Sequence, residues 1–361
     1  MKRALLALTL VVTAAAAQAQ SRDPYANLKD YAAKVFPRCP GGTITIEPIT
    51  QAGPVNFTAY GVTMRSSDQY CGSQKYLLHS PKSQQVVIGS VIPLPRDSRP
   101  IATRISQEAS RLLAKPVTAT IAPFPLADGL KVVSMTRTTP YGDFAYNGFI
   151  DASHQFLIIG FRGTLGSDPA KGLREALGAS SAMRRGNASA KAEILEISDF
   201  QCPTCARAHE KMEPIIRQNL SKMNYVRIDL PLFEHHEWSV PAAMGARALQ
   251  KVAPDKYWDY VDYVFKNQEE IGKRKIDDVV KDWMEDHDVD WAAIAKIYNS
   301  KTERQALLDQ ISRAFAIGIA ATPTFVVNGQ IMGFGPDGTF TLDAIKSAVG
   351  ATTAPAKKPA K

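Results

Sequence analysis

The sequence predicts an α/β protein in two parts: an α+β domain, then an α/β domain interrupted by helices. Three observations carry this reading. Short β-rich runs crowd residues 43–161, with only two helix-like stretches nearby. After residue 192 the order becomes strand, helix, strand, helical block, strand, strand, helix. Between the first strand and helix of that second half stands Cys202-Pro203-Thr204-Cys205. A length of 361 residues suits two domains better than one.

Taken in order, the chain opens on Lys2 and Arg3, an apolar stretch from Ala4 to Val12, and Ala17-Gln18-Ala19. This pattern reads as a cleaved export signal over residues 1–19. Its apolar part is shorter than the roughly 20 residues of a membrane span. Export places the mature protein in the periplasm or another extracytoplasmic space, where disulfides persist.

The expected N-terminal domain covers residues 20–165. A helix is expected over 23–36, with Leu28, Tyr31, Ala32 and Val35 on one face. Strands are expected at 43–46, 55–64, 76–78 and 86–92. A helix at 105–114 and strands at 117–121, 131–136, 144–150 and 156–161 follow. Pro140-Tyr141-Gly142-Asp143 and Asp151-Ala152-Ser153 supply turns. A mostly antiparallel sheet fits best. His79 and His154 are isolated, and nothing in this half forms a catalytic constellation.

Residues 166–190 read as a linker with one short helix near 169–177, then a mobile entry to the next strand. The second domain, 191–350, begins with a strand at 192–197, a helix at 206–220 and a strand at 226–230. A helical insertion over about 240–317 contains stretches at 241–252, 256–268, 276–287, 291–298 and 303–315. Residues 323–330 give a strand, a tight turn and a return strand, and 342–349 a closing helix. The tail 351–361, made of Ala, Thr, Pro, Lys and Gly-free, is expected to be disordered. No internal repeat is visible.

The formal charge is +8, from 43 Lys and Arg against 35 Asp and Glu. This mild excess reads as a solvated surface. No basic stretch interleaved with aromatics suggests nucleic acid. The four cysteines fall into two pairs. Cys39 and Cys71 lie beside turn residues and read as a structural disulfide, worth about 3–4 kcal/mol on loop-closure grounds. The alternative is a second redox pair exchanging electrons with the first.

Cys202 and Cys205 are spaced to close and reopen a small disulfide ring at the start of a helix. Cys202 would meet the unpaired N–H groups and positive dipole of that helix, which favour its thiolate. Such a thiolate leaves easily, so the disulfide form becomes oxidising. Pro203 suits the first helical turn. Thr204 could donate its hydroxyl to the Cys202 sulfur. Cys205, one turn in, would be the shielded resolving thiol. No cofactor is implied. His235 and His236 stand among acids, but adjacent histidines point to different sides, and no metal site is expected.

Several stretches together resemble the DsbA-like exported thiol–disulfide oxidoreductases. They are Glu196-Ile197-Ser198-Asp199-Phe200-Gln201-Cys202-Pro203-Thr204-Cys205, Pro231-Leu232-Phe233-Glu234-His235-His236, Ala242-Ala243, and Gly318-Ile319-Ala320-Ala321-Thr322-Pro323-Thr324-Phe325-Val326-Val327-Asn328-Gly329. The resemblance covers a little under half of the chain, residues 192–350. It implies a thioredoxin-like fold with an inserted helical domain, here preceded by a separate α+β domain. It implies that Pro323 is a cis-proline facing the cysteines, with the backbone of Thr322 free to pair with an extended substrate. Pro203 and Thr204 would flank that substrate. It also implies that Glu196 is a buried acid beneath the site, with a raised pKa, able to take a proton from Cys205.

The expected function is dithiol oxidation of exported thiol-containing proteins, with a membrane or soluble redox partner restoring the disulfide. An isomerase or reductase of the DsbC or DsbG type is the alternative. The extra N-terminal domain favours it, because such domains dimerise those enzymes, and a homodimer through this domain is then possible. Two readings of other classes stand beside these. One is a periplasmic chaperone with inert cysteines. The other is a copper-binding module, since thiolates suit copper(I).

Overall fold

The structure, a computed structural model, describes residues 23–67, 73–333 and 338–350. The expected export signal and C-terminal tail lie outside the described residues, as does Cys71.

The N-terminal domain is built on one eight-stranded antiparallel sheet. Helix α1 (Ala26–Val35) buries Leu28, Tyr31, Ala32 and Val35, the face expected from their spacing. Strands β1 (Thr43–Pro48), β2 (Thr58–Arg65), β3 (Ser73–His79) and β4 (Gln85–Pro93) follow as a meander. Helix α2 (Ile101–Leu113) begins earlier than expected, directly after Pro100, which ends the preceding extended segment. A second meander, β5 (Thr118–Ile121), β6 (Lys131–Thr139), β7 (Gly142–Ile150) and β8 (Phe156–Thr164), completes the sheet.

The strand order is β1-β2-β3-β4-β8-β7-β6-β5. Two units of one helix and four strands therefore lie head to head, joined through β4 and β8. Here the structure corrects the sequence reading, which found no repeat. The repeat lives in topology, because a period-two strand accepts many apolar residues. Its trace at the join is Val86-Val87-Ile88-Gly89 against Leu157-Ile158-Ile159-Gly160, with Gly89 paired to Gly160. A Cβ on Gly89 would stand 2.0 Å from the Ile159 carbonyl oxygen, and one on Gly160 2.3 Å from that of Ile88. Both strands need glycine to approach this closely.

The segment expected as a linker contributes helix α3 (Pro169–Ala176) and then strand β9 (Met183–Gly186). That strand is the second correction. It pairs antiparallel with the second sheet, so this part of the linker belongs to the fold. Its sequence, Met-Arg-Arg-Gly, is too short and too charged to read as a strand.

The second sheet runs β13-β12-β10-β11-β9. Strand β10 (Ala192–Ser198), helix α4 (Pro203–Gln218) and parallel strand β11 (Met223–Asp229) form a β-α-β unit. Helices α5 (Ser239–Val252), α6 (Tyr257–Lys266), α7 (Gln268–Ile271), α8 (Ile276–Asp286), α9 (Trp291–Tyr298) and α10 (Lys301–Ala316) are inserted next. Strands β12 (Thr324–Val327) and β13 (Gln330–Met332) and helix α11 (Thr339–Ala348) close the domain. Alternate residues of β10 and β11 serve opposite faces. Ile194 and Tyr225 join Met212, Ile216 and Ile345 under α4 and α11. Leu195, Ile197, Val226 and Ile228 join the inserted helices in the largest core. This is the thioredoxin-like fold with a helical insertion.

The two domains are packed together. Phe144 of β7 lies in the core of the insertion and meets Phe233 and Phe315 edge-on, at 5.2 and 5.8 Å between ring centres. Past α1, the N–H of Arg38 donates to Ile331 at 2.7 Å and its carbonyl accepts from Gly333 at 2.8 Å. The N-terminal domain thus covers the outer edge of β13, which would otherwise offer unpaired backbone groups. No described helix is long and apolar enough to cross a membrane.

Candidate thiol–disulfide site

Strand β10 ends at Ser198, and the turn Asp199–Gln201 delivers Cys202 to the N-cap of α4. Asp199 organises the turn. Its carboxylate accepts from the Gln201 N–H at 2.8 Å and the Leu232 N–H at 2.7 Å, and its carbonyl accepts from the Cys202 N–H at 3.2 Å. Pro203 occupies the first helical position, where no N–H is needed. The insertion reaches back to the same turn: Gln268 of α7 donates to the carbonyls of Phe200 and Cys202, at 2.7 and 3.1 Å.

The two cysteines are free thiols in different surroundings. Cys202 keeps 7% of its surface exposed and Cys205 none, so only the first can be approached. The Cys202 pKa is lowered to about 5. A hydrogen bond from the Cys205 thiol is the main cause; burial opposes it, and the Cys205 N–H, the Thr322 side chain and the Thr204 N–H add to it. Burial first, and then the neighbouring Cys202, push Cys205 well above the ordinary thiol range. Thr204 differs from expectation. Its hydroxyl accepts from Arg207 at 2.9 Å, and its backbone N–H serves the sulfur instead.

The Thr322–Pro323 bond is cis, and the Thr322 carbonyl lies 3.5 Å from the Cys202 sulfur. A loop more than a hundred residues downstream is thereby set against the cysteines. Pro203, Thr204, Thr322 and Pro323 all border or adjoin this junction.

Glu196 is buried beneath the site, 2% exposed. Its expected pKa rise is corrected: burial is the largest single effect and raises it, but Arg227, His209 and the hydrogen bonds of Tyr225 and Ser198 together outweigh burial, and the net direction is downward. Arg227 stands directly opposite Glu196 in the β10–β11 register and donates to it at 2.8 Å; the Tyr225 hydroxyl also bonds the carboxylate. Arg227 is itself fully buried, pairs with Asp229 at 3.1 Å and lies under Phe200 and Phe265. Asp229 is pushed up to about 6 by burial, against the pull of Arg227. The sequence reading missed Arg227 because register between strands decides which residues meet.

It considered His236 only as a metal ligand and missed its pairing with Asp199. The His236 Nδ1 lies 2.7 Å from the Asp199 carboxylate. That bond raises the His236 pKa; burial opposes it, and the Asp199 and Cys202 charges support it. A carboxylate three residues before the first cysteine was the available signal.

Cys39 is disulfide-bonded, and Cys71, its expected partner, lies outside the described residues. One group of metal-ligand type was not foreseen: ligand atoms of His209, Glu213 and Asp262 lie within 4.8 Å of one another. Arg185 holds Glu213, and Arg217 holds both Glu213 and Asp262, so guanidinium groups already balance these carboxylates.

Residues 179–350 match the family described as Thioredoxin. Among curated proteins, the chain is similar to Na(+)/H(+) antiporter NhaA 3 of Salinispora tropica, 26% identical over 168 residues. That match covers 46% of this chain and 24% of the antiporter. The chain spans about a quarter of the length of the curated relatives it matches. Among solved structures, oxidised BdbD from Bacillus subtilis aligns over 48% of this chain and 95% of its own, at 17% identity and a TM-score of 0.42. The thiol-disulfide exchange protein alpha-DsbA2 from Wolbachia pipientis aligns over 50% and 94%, at 16% identity and 0.42. Over residues 179–350, a little under half of its length, the chain thus matches a thioredoxin family model, in keeping with the fold of its second domain.

Proposed function

We propose that the protein exchanges disulfides with thiol-bearing proteins through Cys202 and Cys205, most readily as a dithiol oxidase. The observation that carries this is the split between the two sulfurs. Cys202, with a pKa of about 5, sits at a helix N-terminus beside the cis-proline loop, while Cys205 is enclosed and protonated. A stabilised Cys202 thiolate favours the reduced protein and makes its disulfide oxidising.

The reaction begins from the Cys202–Cys205 disulfide. A substrate thiolate attacks the Cys202 sulfur, forming a mixed disulfide and breaking the bond to Cys205. Cys205 leaves as a thiolate and takes up a proton. A second substrate thiolate then attacks the substrate sulfur of the mixed disulfide and releases Cys202 as a thiolate. Two substrate thiols become one disulfide, and the protein gains the electron pair. Glu196 could accept the Cys205 proton on the return step, but its pairing with Arg227 makes it a weak base. The backbone of Thr322, with Pro203 and Thr204, would hold the substrate as an added extended segment.

The redox equilibrium of the pair against glutathione tests the direction. A value near roughly −120 mV supports the oxidase, and one near roughly −270 mV a reductase. Cys202→Ser should abolish exchange. A protein that loses only copper binding, or that still suppresses aggregation with no exchange in the parent, would be of another class.

Residues 1–19 act, in this reading, as a cleaved signal for export to the periplasm or beyond. A redox partner there restores the disulfide. Cys39–Cys71 is a structural bond. If two copies associate through the N-terminal domain, they use the outer strands β1 or β5, since β4 and β8 already pair with each other.

A further inference from the structure

Beside the cis-proline lies a cavity of about 390 Å³ that belongs to both domains. Thr204, Thr322 and Pro323 form one side of it, and Val35, Ser73 and Lys75 of the N-terminal domain form another. Lys75 projects from β3 toward the loop that leads to Pro323. A Cβ on Gly318 would stand 3.3 Å from the Lys75 Nζ, and Gly318 has φ +83°, a backbone that L side chains rarely adopt. Glycine at 318 thus leaves the ammonium against the loop. The Lys75 Nζ also lies 5.4 Å from the centre of the Phe36 ring.

No carboxylate among the described residues pairs with Lys75. This is unlike Lys29, Lys115, Lys251 and Lys273, each of which has an acidic partner. Burial lowers the Lys75 pKa. A cation partly removed from water, with a ring beside it and no carboxylate partner among the described residues, is stabilised when an anion arrives. The cavity it faces is the one that the backbone of Thr322 borders.

Resting on the disulfide-exchange reading above, we propose that Lys75 receives a substrate carboxylate, so that the protein prefers thiol segments with an acidic side chain close to the reacting cysteine. The N-terminal domain would then set specificity at a chemical site carried wholly by the other domain.

The test uses the full mature chain and two peptides that each hold one cysteine, identical except for Glu or Gln two residues away. Reaction of each with the Cys202–Cys205 disulfide is followed by stopped flow, with dithiothreitol as a third reductant. The Glu peptide should react about 3- to 10-fold faster at low salt, and the advantage should shrink as salt rises. Lys75→Gln should remove the advantage, Lys75→Arg should keep most of it, and all variants should react equally with dithiothreitol. Binding of the same peptides with Ser in place of Cys, read by fluorescence anisotropy, should show the same preference without any redox step. Equal rates and equal binding for the two peptides in the parent protein overturn the proposal, as does a preference that survives in Lys75→Gln. Failure of dithiothreitol to reduce the pair would instead sink the disulfide-exchange reading, with the anisotropy preference still deciding the role of Lys75. Salt dependence in the parent decides the matter if Lys75→Gln does not fold.

Discussion

Cys202 and Cys205 are identical side chains made unlike by position. One caps a helix and keeps a path to solvent, while the other is sealed a turn below. Iodoacetamide should alkylate reduced Cys202 with a midpoint near pH 5. His236→Asn should move that midpoint upward by about half a unit to one unit, because it removes a cation coupled to the thiolate. The same pKa predicts a pH effect on stability. The folded value of about 5 lies below the ordinary 9.0, so thiolate stabilisation is lost as pH falls through 5 and grows toward 9. Urea titrations should therefore show the reduced form gaining on the oxidised form between pH 5 and 9. Beneath the site, Glu196→Gln leaves buried Arg227 with Asp229 alone, and should cost about 3–5 kcal/mol in denaturant unfolding. A loss below 1 kcal/mol would show that Asp229 alone can balance Arg227.

Elements matter here through their junctions. Helix α4 begins at Pro203 because Asp199 and Gln268 hold the turn before it, and these come from a strand end and from the insertion. Pro323, the residue before β12, is set against the cysteines because β12 pairs with β10, the strand that leads to them. In the N-terminal sheet the decisive junction is β4 against β8. Gly89→Ala would drive a methyl group into the Ile159 carbonyl, so the two helix-and-meander units should separate or shift. We expect a loss of about 1–3 kcal/mol or more in thermal unfolding, whereas Gly61→Ala, whose added methyl would come no nearer than 3.9 Å to a neighbour, should cost far less.

Across the whole molecule, the domains are joined by charge as well as by Phe144. Glu234, just before the two histidines, receives both Lys115 and Arg137 of the N-terminal domain. Arg137 is buried, with 8% of its side chain exposed, so losing its carboxylate leaves a poorly solvated charge. Glu234→Gln should destabilise the join by about 3 kcal/mol. Calorimetry should then resolve two transitions for the variant against a single one expected for the parent protein. The Arg38 bridge to β13 and the contact of Asn147 with Ser312, at 2.8 Å, join the same two bodies at other points. The cavity at Lys75 exists only because of this packing.

Much of this protein was written locally. Period-two runs and 3.6-residue spacing gave most of the strands and helices, since burial on one face is a property of neighbours in sequence. The cysteine pair was legible for the same reason: one turn of helix relates the two thiols. Strand β9, four residues with two arginines, carried too little pattern to be seen. Tertiary structure alone decided the partners of the site. Arg227 meets Glu196 by strand register, His236 meets Asp199 by the return of a loop, and Lys75 meets the Pro323 loop by the docking of two domains. The pKa of a buried acid depends on which charge faces it, and that identity is fixed only when distant segments pack.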